Sequence, residues 1–359
     1  MADPRLLHWL MDHAGVPVRY RIARELLGDL TTARKLEKEL LDFPIVRLWL
    51  KNLKPQTPPQ HRWMEHGSFD FCLENAALKL VQLGLHGGLP QVRDAAGYYL
   101  ARLEKAATIR PVRRDFISAI LTANVLSLLQ VEDEAVRRFM RLSLDEMFRF
   151  AQRQSVDLYL DAEESRRLTG VPACWKGQKP FIKPALVQEH GYAFPLLYDI
   201  VGMHSLYRLR DPDTDHKIDT VVRYIAADAF HHAIDDGYGI LVTGKRSYAA
   251  MGWDPKCPGW FSAAEYLQSG AVPKLLFYAL HASRYPALRD TRWYGELLAS
   301  LEAYQTEDGR YAFPAEWLME RQGYAVMGRH LSFGENRRGK NWREIESTFY
   351  RLLLTQAPS

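Results

Sequence analysis

One feature constrains the fold of this chain more than any other: a layout of two helices and a short turn that occurs four times. In each copy an apolar helix leads through a short polar or proline-containing turn into a second helix with Arg, Asp and Tyr on one face. The copies begin with ENAALKLVQLGL (74–85), ISAILTANVLSLL (117–129), FPLLYDIVGMHSLYRL (194–209) and AVPKLLFYALHAS (271–283). Internal repetition of this kind predicts helix pairs stacked side by side.

The two helices of each copy differ in character. The first is apolar nearly all round, which indicates burial on several sides, whereas the second is amphipathic. We therefore expect an all-α fold in which one domain, residues 1–359, forms an α/α toroid, a closed double ring of antiparallel helix pairs. Within it, residues 1–55 form an atypical N-terminal helix pair and residues 60–356 the toroid repeats. An open solenoid is the alternative, and GYGILV (237–242) is the best strand candidate.

The connections between successive pairs are long and rich in Gly and aromatic residues. Long loops in a compact fold are usually functional or disordered, and their aromatic content argues against disorder. In a toroid these loops would gather at one end and cover the mouth of the cavity, with the short turns at the other end. We therefore expect the function at the loop end.

Composition excludes several classes of partner. The 47 basic and 43 acidic residues are interspersed, which argues against a nucleic-acid surface. No stretch approaches the roughly 20 apolar residues of a membrane helix, and the N-terminus lacks the pattern of a signal peptide. Three widely spaced cysteines suggest a reducing compartment. We expect a cytoplasmic protein with a small-molecule ligand, and the sequence leaves its oligomeric state open.

Turns that combine glycine with an aromatic residue recur between the helix pairs. They are Gly67-Ser68-Phe69, Asp236-Gly237-Tyr238-Gly239 and Gln305-Thr306-Glu307-Asp308-Gly309-Arg310-Tyr311. The last resembles the QW-type repeat of squalene and terpene cyclases and the related prenyltransferase subunits. The likeness covers residues 60–356 at the level of layout. It implies a member of this toroid superfamily, similar to its poorly characterised bacterial members, and a hydrophobic or isoprenoid-like substrate.

The same resemblance suggests where an acid could lie. Class II cyclases use an Asp in a D-x-D-D motif, and Asp161-Ala162-Glu163-Glu164 is a D-x-E-E analogue. Clustered carboxylates raise one another's pKa, so one of them could stay protonated and donate. The same letters also fit a solvated surface turn. The run Asp211-Pro212-Asp213-Thr214-Asp215 is closer by letters, but its position in a short turn predicts a helix cap.

The residue spacings that could indicate a metal site match known motifs less well than the acidic runs do. Asp254 and Cys257 are spaced one residue wider than the D-x-C of prenyltransferases. Cys174, Cys257 and His190 could supply the two Cys and one His of lanthionine cyclases, whose flanking motifs are missing. The run from His231 to Asp236 is typical of a helix end followed by a polar turn. We predict no metal and no cofactor.

The most distinctive chemistry lies in QEHGYAFP (188–195), where Glu189, His190 and Tyr192 place an acid, an imidazole and a phenol together. A His beside a carboxylate is the usual acid/base unit, although Glu189 could equally cap a helix and His190 satisfy a loop carbonyl. Asp161 and Glu163 complete the catalytic candidates. The substrate-binding candidates are aromatic side chains and one acid, all of which could instead anchor loops: Phe69, Phe71, Glu74, Trp175, Phe194, Tyr238, Trp260, Tyr266 and Tyr311.

Two functions follow as hypotheses. The first is an enzyme that acts by acid/base chemistry on a hydrophobic or isoprenoid-like small molecule in the toroid cavity. The second is a non-catalytic ligand-binding or scaffold protein that keeps the fold without the cyclase or zinc motifs.

Overall fold

The protein is described by a computed structural model over residues 3–54, 65–106, 114–188, 191–269 and 271–356. These residues are mostly helical, which confirms the predicted helical character, and they add a small three-stranded sheet. The closed ring itself stays a prediction. The described α-helices are α1 (Pro4–His13), α2 (Val16–Arg21), α3 (Leu30–Asp42), α4 (Pro44–Leu53), α5 (Leu73–Gln82), α6 (Pro90–Ala106), α7 (Arg114–Leu128), α8 (Glu134–Ala151), α9 (Ala162–Arg166), α10 (Leu197–Gly202), α11 (Pro212–Ile225), α12 (Asp228–Ala233), α13 (Ala263–Gln268), α14 (Val272–Ala282), α15 (Pro286–Arg289), α16 (Arg292–Leu301) and α17 (Trp342–Thr355).

The four repeated pairs correspond to α5 and α6, α7 and α8, α10 and α11, and α14 and α16. The first helix of a pair is deeply buried: in α5 every residue from 73 to 80 is buried, including the polar ones. The second helix buries one face, as α8 does. None of the described helices is both long and apolar enough to span a bilayer.

The chain packs as two compact units. The first contains Met1–Tyr98, Leu129–Val131 and Pro258–Ser359, and the second contains Tyr99–Leu128 and Glu132–Cys257. Within the first unit α5 packs on α4, and α13 packs on α16. Within the second unit α7 packs on both α8 and α10, and α11 packs on α8.

Helix starts follow the capping rules that the sequence suggested. Asp211 is the N-cap of α11 and Pro212 follows it at the first helical position. The Asp211 carboxylate accepts a 2.6 Å hydrogen bond from the Thr214 hydroxyl. A side-chain acceptor at the N-cap satisfies backbone donors that have no partner within the helix. The aspartate-rich turn is therefore a helix cap, as expected.

The sheet belongs to the second unit. Its strands are β1 (Phe181–Ile182), β2 (Gly239–Gly244) and β3 (Ser247–Met251), in the order β1-β2-β3. β1 pairs with β2 in parallel and β2 pairs with β3 as an antiparallel hairpin. The strand predicted at GYGILV is confirmed, and its residues 240 and 241 are buried at the centre of the sheet.

Candidate functional site

Only part of the catalytic site predicted at residues 188–195 lies within the described residues. Glu189 and His190 lie outside the described residues. Tyr192 is only 2% exposed, and its hydroxyl has no hydrogen-bond partner among the described residues. Burial raises the pKa of this phenol well above its ordinary value. The structure therefore places Tyr192 in the interior of the second unit.

Two predicted substrate-binding residues belong to the same aromatic cluster as Tyr192. Its ring stacks on Phe194 with the ring centroids 5.4 Å apart, and Phe194 lies 4.8 Å from Tyr238. The Tyr238 hydroxyl donates to the carbonyl oxygen of Pro195. Phe194 and Tyr238 are both fully buried, so these three rings form an aromatic core.

The D-x-E-E run forms a helix start on the surface. Asp161 is the N-cap of α9, and its carboxylate accepts the backbone N–H groups of Glu163 and Glu164 at 2.7 and 2.8 Å. Glu164 accepts the Asp161 N–H in return, which completes a capping box. Glu163 is 71% exposed and pairs with Arg167. In this position the carboxylates hold backbone donors and meet solvent.

The remaining predicted aromatic residues lie in separate places. Trp260 is buried against Trp293, with the ring centroids 6.2 Å apart. The Tyr311 hydroxyl donates to Glu302 at 2.8 Å, and this tyrosine ends the glycine turn at Gly309, where φ is +82°. Half-buried Tyr266 lies on α13, and half-buried Trp175 lies in the 3-10 turn Ala173–Trp175 of the second unit.

A denser arrangement of titratable groups surrounds the start of α5, in the first unit. Glu74 is completely buried, and its carboxylate lies 3.0 Å from the Nδ1 atom of His66. The backbone N–H of Gly67 donates to the second carboxylate oxygen at 2.9 Å. His66 is 30% exposed, so a buried carboxylate supports an imidazole that reaches the surface.

Three aromatic rings lie beside this pair, and we call Phe69, Phe71 and Tyr324 the apolar rim. Phe69 and Tyr324 are 39% and 38% exposed. Phe69 stacks on Phe71 at 5.3 Å, and Tyr324 lies against the His66 ring at 5.2 Å. The structure thus brings together three of the predicted residues, Phe69, Phe71 and Glu74, and adds His66 and Tyr324 to them.

Asn75 joins the two loops that contain the rim residues. Its side-chain amide donates to the carbonyl oxygens of Phe69 and Gly323 at 2.9 and 3.1 Å. Its amide oxygen accepts the backbone N–H of Ala325 at 2.7 Å. Gly328 brings the second loop against α14: its φ is +71°, and a Cβ there would lie 2.1 Å from the Pro273 carbonyl oxygen.

Further along α5, a second group of charged side chains surrounds Lys79. Lys79 is completely buried, and its ammonium group donates to Glu320 and to the carbonyl oxygens of His330 and Ser332. The other Glu320 oxygen lies 3.1 Å from Nδ1 of His330, whose Nε2 lies 3.0 Å from the Gly323 carbonyl oxygen. Both ring nitrogens of His330 therefore face hydrogen-bond acceptors.

Glu320 is the accessible member of this group, with its side chain 32% exposed. Burial alone would raise the pKa of Glu320, but Lys79 and His330 together lower it below its ordinary value. Glu320 therefore stays an anion between two donors. We call His66, Glu74, Lys79, Glu320 and His330 the acid–base cluster.

A buried carboxylate on α17 holds the loop that follows His330. Glu346 is completely buried and accepts the Ser332 hydroxyl at 2.7 Å and the Phe333 N–H at 3.0 Å. Its other oxygen lies 3.2 Å from the Arg337 guanidinium. Burial raises the pKa of Glu346 above its ordinary value, although Arg337 opposes that rise. This carboxylate holds backbone groups and faces no solvent.

The residues of the zinc patterns have other surroundings. Asp254 accepts the backbone N–H groups of Gly237 and Lys256 at 2.8 and 3.1 Å, as in a turn. Burial raises the pKa of Cys257 and lowers that of His231 to about 3. Over the described ranges, no group of three or more His, Cys, Asp or Glu side chains is arranged to hold a metal ion.

Four members of the acid–base cluster were missed by sequence reasoning: His66, Lys79, Glu320 and His330. Lys79 carried a signal, because a lysine within the apolar run ENAALKLVQLGL needs a buried partner. Glu320 and His330 carried none, because they meet α5 only through tertiary packing.

Comparison with models of known protein families, with curated proteins and with solved structures finds no match to this chain. The likeness to terpenoid cyclases and prenyltransferases therefore stays a prediction.

Proposed function

We propose that this protein is an enzyme that transfers protons on a hydrophobic or isoprenoid-like small molecule bound at the acid–base cluster. One observation supports this above the others: the imidazole of His66 reaches the surface while its Nδ1 atom lies 3.0 Å from the carboxylate of fully buried Glu74. A carboxylate behind an imidazole fixes its tautomer and orientation and stabilises the charged ring.

The pair would work as a general acid and base. Glu74 accepts the Nδ1–H of His66, so the Nε2 atom on the opposite side of the ring takes a proton from the substrate and returns it. The Gly67 N–H holds the second Glu74 oxygen, which fixes the carboxylate in place. Positioned acid/base groups of this kind contribute roughly 10²- to 10⁴-fold in rate.

The apolar rim supports the proposed substrate class. Tyr324 exposes an aromatic face against the His66 ring, and Phe69 exposes another on the loop that Asn75 joins to that of Tyr324. Met327 adds an exposed thioether on the same loop as Tyr324. Burial of aromatic and aliphatic surface drives the binding of hydrophobic ligands, and aromatic faces also stabilise nearby cations.

A non-catalytic binding or scaffold role is the second candidate. It is favoured by Asn75 and Lys79, whose polar groups are used to hold loop carbonyl oxygens. In that case α5 positions the rim for binding and no proton moves.

Product formation separates the two functions. The full chain is incubated with isoprenoid alcohols, isoprenoid diphosphates and squalene, and products are followed by gas chromatography and mass spectrometry. We expect turnover of at least one compound, with a loss of about 100-fold in His66→Ala and Glu74→Gln, since each removes the acid/base group or its support. Lys176→Ala, at an exposed position, serves as the matched control.

Three results would count against the enzyme. Binding of a panel member without product would favour the non-catalytic role. Equal turnover in His66→Ala and the wild type would remove His66 from the chemistry. Neither binding nor turnover across the panel would exclude the isoprenoid class.

A further inference from the structure

An open groove in the second unit is separate from the residues of the proposed acid/base chemistry. Its volume is about 620 Å³, within the roughly 300–1,000 Å³ typical of ligand pockets. The groove lies where β1 meets the segment that follows α12. Its lining includes Tyr159, Ser165, Gln178, Lys179, Phe181 and Asp235.

The polar groups of the groove offer both donors and acceptors. The Tyr159 hydroxyl accepts the backbone N–H of Asp235 at 2.9 Å, and its own proton has no acceptor among the described residues. Burial raises the pKa of Tyr159 to about 12, so the hydroxyl stays a donor. The phenol can therefore donate one hydrogen bond to a ligand.

Lys179 and Asp235 form an ion pair in the lining of the groove, with the two charged atoms 3.1 Å apart and the side chains 43% and 41% exposed. The ammonium group also donates to the Asp236 carbonyl oxygen at 2.7 Å. Since an ammonium group has three N–H bonds, one remains for a ligand. The second carboxylate oxygen of Asp235 likewise has no partner in the part of the chain that the structure describes.

These groups leave the groove without a dominant charge. The cation of Lys179 is matched by the anion of Asp235 on the same wall. Gln178 adds an exposed amide with two donors and an acceptor, and Ser165 adds a hydroxyl. A ligand with a net charge would meet an opposing and a like charge side by side. A neutral ligand with several hydroxyl groups would satisfy donors and acceptors in turn.

Two aromatic residues, Tyr159 and Phe181, also line the groove. Their segments are joined by the pairing of Tyr159 with Ile182. The carbon-bound hydrogens of a sugar ring pack well against such apolar surface, while its hydroxyl groups reach the polar side chains.

We propose that this groove binds a neutral polyhydroxylated ligand, a sugar of one or two rings. The D-x-E-E run has a structural part in this site: Asp161 caps α9, and Ser165 of that helix lines the groove. The carboxylates singled out as a catalytic motif thus hold one wall of a binding site.

Saturation-transfer NMR on the full chain tests the proposal. The neutral probes are D-glucose, maltose and myo-inositol, and the charged probes are glucose 6-phosphate and glucosamine. We expect at least one neutral probe to bind. Tyr159→Phe, Gln178→Ala and Asp235→Asn should each weaken that binding about fivefold to tenfold, since each removes one hydrogen-bonding group. Asp157→Asn is the matched control, because Asp157 forms a similar exposed ion pair, with Lys183, outside the groove.

Three outcomes would overturn the proposal. They are no binding of any neutral probe, tighter binding of a charged probe than of every neutral one, and equal losses in Asp235→Asn and Asp157→Asn. Gln178 is exposed, so its variant keeps the fold and remains informative if Tyr159→Phe unfolds. Because no residue of the acid–base cluster takes part, this result is independent of the isoprenoid panel.

Discussion

The starts of α5 and α10 carry the same kind of residue with opposite consequences. Each is the first helix of a repeat and has a buried carboxylate in its first turn, Glu74 on α5 and Asp199 on α10. Glu74 faces the imidazole of His66 in the preceding loop. Asp199 instead accepts the backbone N–H of Leu196 at 2.7 Å and the side-chain amide of Asn124 at 2.9 Å.

The difference follows from position within the turn and from the preceding loop. Asp199 is the third residue of its helix start, where a carboxylate folds back onto the N-cap N–H. Glu74 is one position earlier and meets the loop that contains His66. The segment before α10 brings Tyr192 and Phe194 into the core instead. An acid at a helix start therefore becomes a candidate catalytic group only when its loop supplies a partner that reaches solvent.

The largest expected effect concerns the charges along α5. Lys79→Met removes a completely buried ammonium group and, with it, the hydrogen bonds that this group donates to Glu320 and to two carbonyl oxygens. Breaking a buried ion pair on one side destabilises a protein by about 3–5 kcal/mol. We expect a loss of that size in the free energy of unfolding, measured by urea denaturation.

Lys179→Met is the matched control, because it breaks an ion pair whose partners are 43% and 41% exposed. Exposed pairs contribute about 0–1 kcal/mol. Similar losses of unfolding free energy in the two variants would show that the α5 charges are not held in a buried network. The difference inferred between α5 and α10 would then be wrong.

Asp199 gives the next largest effect, with a dependence on pH. Burial raises the pKa of Asp199 to about 6 from its ordinary value of 3.8. A raised pKa in the folded state favours folding below 3.8, and that contribution is lost as the pH rises through about 6. Asp199→Asn cannot ionise, so it should gain up to about 3 kcal/mol over the wild type between pH 4 and pH 7.5.

The measurement is the difference in unfolding free energy between Asp199→Asn and the wild type, taken at both pH values. The difference isolates Asp199 from the other carboxylates, because they titrate in both proteins. A difference that is constant with pH would show that Asp199 is already ionised without cost in the folded state.

Substitution of Tyr192 gives the smallest expected change in the free energy of unfolding, and the change is a gain where that of Lys79→Met is a loss. Its hydroxyl is buried and has no hydrogen-bond partner among the described residues. Leaving such a group unsatisfied costs about 1–3 kcal/mol, so Tyr192→Phe should raise the free energy of unfolding by about 1 kcal/mol. Thermal unfolding checks this. A clear loss of stability would mean that the hydroxyl has a partner in the native protein, and the segment before α10 would regain a functional role.

Sequence reasoning located the helices well because their signals are local. Long apolar runs mark α5, α7 and α14, and Asp211 with Pro212 marks the start of α11. GYGILV was recognised as β2 for the same reason. The closure of a ring depends on how distant pairs meet, which no local pattern specifies.

The site was harder to predict because its members come from distant segments. Glu74, Phe69 and Phe71 were named from their place at a helix start and in an aromatic loop. His66 is an ordinary loop residue in sequence and gains its role from the contact of its loop with Glu74. Glu320 and His330 are also ordinary loop residues, and only the packing of residues 318–332 against α5 gives them a role. Lys79 was the one available signal, since a buried cation requires an anion nearby.

The tautomer of His66 shows whether Glu74 and His66 form the acid/base pair. Long-range ¹H–¹⁵N correlation spectra of ¹⁵N-histidine-labelled protein at pH 8, with His66→Gln to assign the signal, show which ring nitrogen carries the proton. We expect the proton on Nδ1 in the wild type, held by Glu74, and on Nε2 in Glu74→Gln, whose amide N–H₂ would donate to Nδ1. A wild-type proton on Nε2, or the same spectrum in both proteins, would contradict the pair on which the proposed function depends.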